Sequence, residues 1–215
     1  MRTDVEIIAV KGRLPRMRCS GSLQGRLTEA DTVHLIGVAA SPLGGDEISV
    51  RIEVGDGVLL RVRSVAAAVA LPGRDTLRSS TAWSCSVAGE LDLDPAPTIV
   101  AANAVHHSHV TVHGSGSASV RLRERVQIGR AGESSGFWSG ELEADIDNRP
   151  LLRHRIELGA GSVTDDELGR PLALISELRY PATDSMPPCP VDATVLRLAG
   201  DATLLTWQGQ RLPSD

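Results

Sequence analysis

Apolar residues along this chain recur at every second position, and the i, i+3, i+4, i+7 spacing of an amphipathic helix is hard to find over any long window. That pattern predicts strands. Ile48, Val50, Ile52 and Val54 alternate with Ser49, Arg51 and Glu53; Gly55-Asp56-Gly57 then signals a turn before the apolar run that opens at Val58. Residues 48–63 therefore read as a hairpin. Further along, Val120, Leu122, Val126 and Ile128 share one face of a strand, and Arg121, Arg123, Arg125 and Gln127 share the other. Glu124 falls on the apolar side. A third stretch sets Leu142, Ala144 and Ile146 against Glu141, Glu143, Asp145 and Asp147. After Asn148-Arg149-Pro150 it returns with Arg153 and Arg155 between Leu152, Ile156 and Leu158. Acidic residues on one strand then face basic ones on the next, each exposed pair contributing about 0.2–1 kcal/mol, and His154 sits on the apolar face.

Further strands are predicted over 5–10, 32–38, 82–87, 110–113, 172–178, 195–198 and 202–207. Short strands at this spacing, with Gly and Asp between them, indicate an all-β fold. The expected architecture is a stack of antiparallel or mixed β layers, either a flattened β-helix or a sandwich, with one or two short helices. The only capped helix start is at 164–168, where Gly169-Arg170-Pro171 stops it. Four prolines over 181–190 predict a loop. No linker divides two hydrophobic blocks, so residues 1–215 are expected to form a single domain.

Composition changes this picture in two ways. Three Trp, one Tyr and one Phe leave Val, Leu, Ile and Ala to fill a core that, at this size, buries roughly 70% of the unfolded surface. The formal charge is −5, and the 22 basic residues are scattered. Neither phosphate neutralisation nor base stacking has the residues it needs, so nucleic acid is not an expected partner. No run of 18 apolar residues and no apolar leader core is present, which predicts a soluble, cytosolic protein with no membrane association. Cys19, Cys85 and Cys189 are odd in number and widely spaced, as reduced thiols are and disulfide frameworks are not.

Two places could carry chemistry. In His106-His107-Ser108-His109-Val110-Thr111-Val112-His113, residues His107, His109 and His113 project from one face of a strand, and imidazole suits nickel or zinc. His107 and His113 lie ~20 Å apart along an extended strand, so one ion spans only His107 and His109 unless the chain turns. The alternative is a solvated polar face. A cupin-type metal enzyme also starts from His-x-His on a β scaffold, but it wants a Glu shortly after, and the nearest here is Glu124. The second place is Glu124 itself, whose carboxylate on an inner face needs a partner. Arg130, just past the strand end, is a candidate, in which case the pair fixes the Gly129-Arg130 turn; otherwise Glu124 lines an internal channel. Nucleotide binding is set aside, because Gly129-Arg130-Ala131-Gly132-Glu133-Ser134 lacks Gly-Lys-Ser/Thr and a following helix. Ser134, Ser135 and Ser139 lack a nucleophile elbow.

The run from Arg123 to Glu133, followed by Phe137-Trp138-Ser139-Gly140, resembles the Glu-x-x-x-x-Gly-Arg-x-x-x-Glu-x-Phe-x-x-Gly stretch of the urease accessory protein family UreD, also called UreH. Glu124, Gly129, Arg130 and Gly140 keep the order and near spacing, and Glu133 is the second acidic residue of the run. Pro42-Leu43-Gly44-Gly45-Asp46 and Pro150-Leu151-Leu152 resemble two further family segments. The chain is shorter than many members, lacks the Lys expected near Val69, and has Pro97 where an acidic residue is often found. The resemblance implies a non-enzymatic scaffold of stacked β layers that binds the helical protein UreF and, through it, the GTPase UreG on apo-urease. UreE would be a nickel donor. Nickel would pass transiently along an internal polar route with Glu124 in its wall, and no cofactor would be tightly bound. A cupin-like enzyme and a plain β-sandwich interaction module are the alternatives.

Overall fold

The computed structural model describes residues 1–165, 169–182 and 190–213. Alternation of buried and exposed side chains shapes them into seventeen strands. The first seven are β1 (Arg2–Ala9), β2 (Arg16–Ser20), β3 (Leu23–Glu29), β4 (Thr32–Gly37), β5 (Glu47–Val54), β6 (Leu59–Ser64) and β7 (Ala68–Ala70). Next come β8 (Arg78–Val87), β9 (Glu90–Leu93), β10 (Thr98–Val100), β11 (Val105–Gly114) and β12 (Ser119–Ile128). The last are β13 (Phe137–Ile146), β14 (Arg149–Gly159), β15 (Ala173–Tyr180), β16 (Thr194–Leu198) and β17 (Ala202–Gly209).

One sheet has the order β14-β13-β11-β8-β5-β1-β2, and the other runs β16-β17-β15-β12-β9-β6-β4-β3. The two pack face to face. Within the first, β1, β5, β8, β11 and β13 are neighbours in parallel, and β4, β6, β9 and β12 form the matching parallel ladder of the second. The chain crosses from one sheet to the other at each rung, which makes a flattened helical stack of mixed layers, capped by antiparallel strands at both ends.

That winding corrects the hairpin predicted over 48–63. β5 pairs with β1 and β8, β6 with β4 and β9, and Gly55-Asp56-Gly57 is the arch between two sheets. The reason is burial. Ile48, Val50, Ile52 and Val54 on β5 and Leu60 and Val62 on β6 are all buried, and pointing both apolar faces at each other buries more than laying the strands edge to edge. Arches stack tightly: a Cβ on Gly89 would lie 2.3 Å from the Val58 carbonyl oxygen and 2.4 Å from that of Gly55.

The hairpin predicted from Leu142 to Leu158 does form, as β13 and β14 joined at Asp147-Asn148, both with positive φ. Glu141 faces Arg155 and Asp145 accepts from Arg153, as charge alternation requires. Among the described residues there is no helix; residues 163–165 form a turn, and 166–168 of the predicted helix lie outside the described residues. Most of the predicted 181–190 loop, including Cys189, also lies outside them. Strands β2 and β3 were not expected, because their burial alternates only between exposed and half-buried.

The interior holds two apolar clusters. The larger lies between the main sheets and includes Val50, Ile52, Leu60, Leu91, Val110, Leu122, Leu178 and Leu204. The smaller surrounds Trp138, with Val126, Ile128, Leu158 and Leu174. Along β12 the inward residues read Leu122, Glu124, Val126, so the acid falls at the boundary between the clusters. On its outer face, Arg121 donates to Asp92 (2.9 Å) and Glu177 (3.1 Å) and Arg125 to Asp94 (2.9 Å), tying β12 to its neighbours.

Candidate functional site

The boundary is a belt of polar side chains. Thr81 on β8 and Gly140 on β13 flank Ser108 in the first sheet. In the second, Glu124 on β12 lies beside Ser176 on β15, which lies beside Thr206 on β17. Each is the inward position of its strand, so one layer of the stack carries hydroxyls, a carboxylate and a glycine; on β12 and β15 the inward neighbours are aliphatic, and on β11 and β8 the layer on one side carries His106 and Ser79.

A cavity of about 550 Å³ opens beside this belt. Its origin is a gap in the second sheet. β9 pairs with β12 only as far as Leu93 opposite Leu122, and β10 resumes at Thr98 opposite Val126. Between them Asp94-Pro95-Ala96-Pro97 cannot continue the ladder, since each proline lacks a donor. A similar break separates β6 from β7, and residues 64–68 line the cavity together with Pro95 and Ala96. Leu35, Trp83, Leu93 and Leu122 make most of its wall apolar. Its polar lining includes Glu124, Ser108, His106 and Thr81, with Arg123 and Arg125 of β12 also bordering it.

Ser108 Oγ donates to Glu124 Oε1 at 2.6 Å. Burial in this apolar surround pushes the Glu124 carboxyl up from 4.5 to about 7, against the pull of the Ser108 hydroxyl. Glu124 keeps some accessible surface, and it lies along the cavity; protein surrounds the carboxyl, so desolvation governs its titration. His106, 2% exposed, faces the same cavity, and its Nδ1 is 3.0 Å from Ser79 Oγ. Burial, with His107 beside it, lowers His106 to about 4, so it is neutral near pH 7.

Arg130 is not the partner of Glu124. Its guanidinium donates to Glu133 (3.0 Å and 2.5 Å), and Glu133 also accepts from the backbone N–H groups of Ala102 (3.0 Å) and Arg130 (3.1 Å). The Arg130 pair, foremost, holds the Glu133 carboxyl down at about 2. The pair locks a turn: Gly129 has φ +80°, and a Cβ there would lie 1.9 Å from the Glu133 carbonyl oxygen. Sequence spacing put Arg130 near Glu124, but Glu124 points inward four residues before the strand ends, and Arg130 lies beyond that end.

His107, His109 and His113 do share a face of β11, and it is the outer one. His109 Nδ1 is 3.3 Å from Glu141, His113 Nδ1 is 3.6 Å from Asp145, and His107 leans on the Phe137 ring. Among the described residues no three His, Cys, Asp or Glu side chains converge as a metal cluster. The three-His, one-Glu arrangement of a cupin is not assembled among the described residues. Cys85 is fully buried, its thiol pushed up to about 12, and inert. Among the described residues no helix is long and apolar enough to cross a membrane. Sequence reasoning missed His106; the available signal was its parity with Ser108 and Val110, which puts it inward.

A model of the family described as UreD urease accessory protein matches residues 11–183. The chain is similar to the Urease accessory protein UreD of Frankia alni, 41% identical over 155 residues covering 68% of this chain and 52% of that protein. It resembles the protein of the same name from Frankia casuarinae at 38% over 176 residues (74% and 55%). The similarity to that of Streptomyces coelicolor is 32% over 155 residues (69% and 61%). The chain spans about half the length of the curated relatives it matches.

Proposed function

Because this chain belongs to the UreD family of urease accessory proteins, we propose that it is a non-enzymatic scaffold that takes part in loading nickel into apo-urease. In this reading it works in a cytoplasmic complex with UreF and the GTPase UreG, with UreE as a nickel donor and GTP hydrolysis left to the partner. Nickel is its cargo and is held transiently, with no tightly bound cofactor.

The observation that carries the reading is a carboxylate set into a largely apolar cavity and held by a hydroxyl of the facing sheet. A conduit needs weak ligands, since a closed site of high affinity would trap the ion. Glu124 supplies one carboxylate and Ser108 a hydroxyl, and the mostly apolar wall around them adds no second carboxylate. Gly129, Arg130 and Glu133 act on the route indirectly, by fixing the turn after β12. His107, His109 and His113 offer at most a transient outer contact.

The test is Glu124→Gln, with Glu124→Ala beside it, coexpressed with the urease structural and accessory proteins. Urease activity and nickel content should fall roughly tenfold, in line with loss of one ligand-shell carboxylate, while the accessory complex still copurifies. Full activation by a well-folded Glu124→Gln chain removes the carboxylate from the route.

A further inference from the structure

Glu124 alone does not explain why the cavity would pass nickel and refuse the harder cations. A carboxylate and a hydroxyl suit magnesium and calcium at least as well, whereas an imidazole nitrogen favours nickel, copper and zinc. Among the described residues the imidazole on the cavity wall is that of His106. It stands two residues before Ser108 on the same inward face of β11, with Cα atoms ~7 Å apart along the strand. Ser108 in turn holds Glu124 across the sheets.

The ring of His106 is oriented. Ser79, buried on the adjacent β8, sits directly opposite it in the parallel register and engages Nδ1 at 3.0 Å. The contact admits either direction; the tautomer required here has Nδ1–H donating to the Ser79 hydroxyl, which leaves the free lone pair on Nε2, and no hydrogen bond to Nε2 is found among the described residues. This is the arrangement by which an outer hydroxyl or carboxylate fixes the tautomer of a metal-binding histidine. His106 is 2% exposed, so the cavity is the only space from which a ligand reaches it.

We propose that His106, held by Ser79, is the specificity-determining residue of the cavity: it adds one imidazole nitrogen beside the Glu124–Ser108 pair, so that a borderline divalent cation such as nickel is preferred over magnesium and calcium. Two strong donors and a hydroxyl make an open, low-affinity station, in keeping with passage. The inference rests on the conduit reading above, but its test needs no partner protein.

The full, metal-free chain is titrated with nickel(II) and, separately, with magnesium(II), following the histidine ring resonances. Nickel is paramagnetic and broadens the rings nearest to it. His106 resonances should broaden at lower nickel concentration than those of the outer histidines, and magnesium should leave them in place. His106→Asn should weaken nickel binding at the cavity roughly tenfold with magnesium binding unchanged; Glu124→Gln should weaken both. Ser79→Ala keeps the imidazole and loosens it, so a severalfold loss of nickel affinity is expected even if His106→Asn folds poorly. Broadening confined to the outer histidines, or nickel affinity held within twofold in His106→Asn or Ser79→Ala, overturns the assignment. Loss of nickel selectivity without loss of urease activation would retain His106 as a ligand and discard the conduit.

Discussion

His106 and His107 are neighbours on one strand, yet they inhabit different chemical worlds. His106 points between the sheets, is almost fully covered, is lowered by burial to about 4, and has one nitrogen committed to Ser79. His107 points outward over Phe137 beside His109 and His113, whose carboxylate partners are the partly exposed Glu141 and the half-buried Asp145. The outer set has more histidines, but it is linear along a strand and does not converge. The inner set has Glu124, Ser108 and Thr81 in one layer and His106 in the next along β11, and the stack turns all four toward the same cavity. Number of potential ligands along a sequence is thus a poor guide to a β site; the shared inward face is a better one.

The comparison predicts first that packing differs sharply across the faces of the first sheet. Trp138, on the inner side of β13, is 1% exposed and centres the smaller cluster, so Trp138→Ala should cost about 3–5 kcal/mol. His113→Ala, on the exposed side of β11, should stay within about 0.5 kcal/mol of the parent. Denaturant midpoints at constant m-value measure both. Similar losses from the two substitutions would mean that the outer face is not a free face.

Next comes pH. The Glu124 carboxyl titrates near 7 in the folded chain against 4.5 as the ordinary value. Between those values the folded state holds a proton that the unfolded state has released, so stability falls as pH rises through this window and the full penalty stands above it. The size is roughly 3 kcal/mol at most. In metal-free buffer, Glu124→Gln should therefore gain on the parent between pH 4.5 and 8. A parallel pair of stability curves would show that Glu124 is solvated in the native chain and not desolvated by the protein around it.

Much of this was legible in the sequence. The alternations over 120–128 and 141–158 placed β12, β13 and β14, the arginine face of β12, and Glu124 on the wrong side of an apolar stripe. Three things were not. Whether Val54 turns back beside its own sheet or crosses to the other depends on which apolar face finds a partner, a tertiary outcome that period-2 alternation cannot encode. The partner of Glu124 was sought nearby in sequence, in Arg130, whereas Ser108 lies on another sheet. The prolines at 95 and 97 were visible, but only the register of β9 and β10 on β12 turns them into a gap with a cavity behind it.

The smallest predicted effect sharpens the same contrast from the outer side. His109 and Glu141 are each about two-fifths exposed, with nitrogen and oxygen 3.3 Å apart. Solvent screens such a pair, and ordering both side chains offsets most of the attraction. A double-mutant cycle on His109→Ala and Glu141→Ala in metal-free buffer should give a coupling of about 0.2–1 kcal/mol, fading at high salt as the Debye length shortens. Arg155 also contacts Glu141 at 3.1 Å, so the cycle is repeated in an Arg155→Ala background to remove the competing cation. If the coupling survives high salt at well above 1 kcal/mol, the outer pair is desolvated in the native chain, and the distinction between an inner site and a solvated outer ladder on β11 no longer holds.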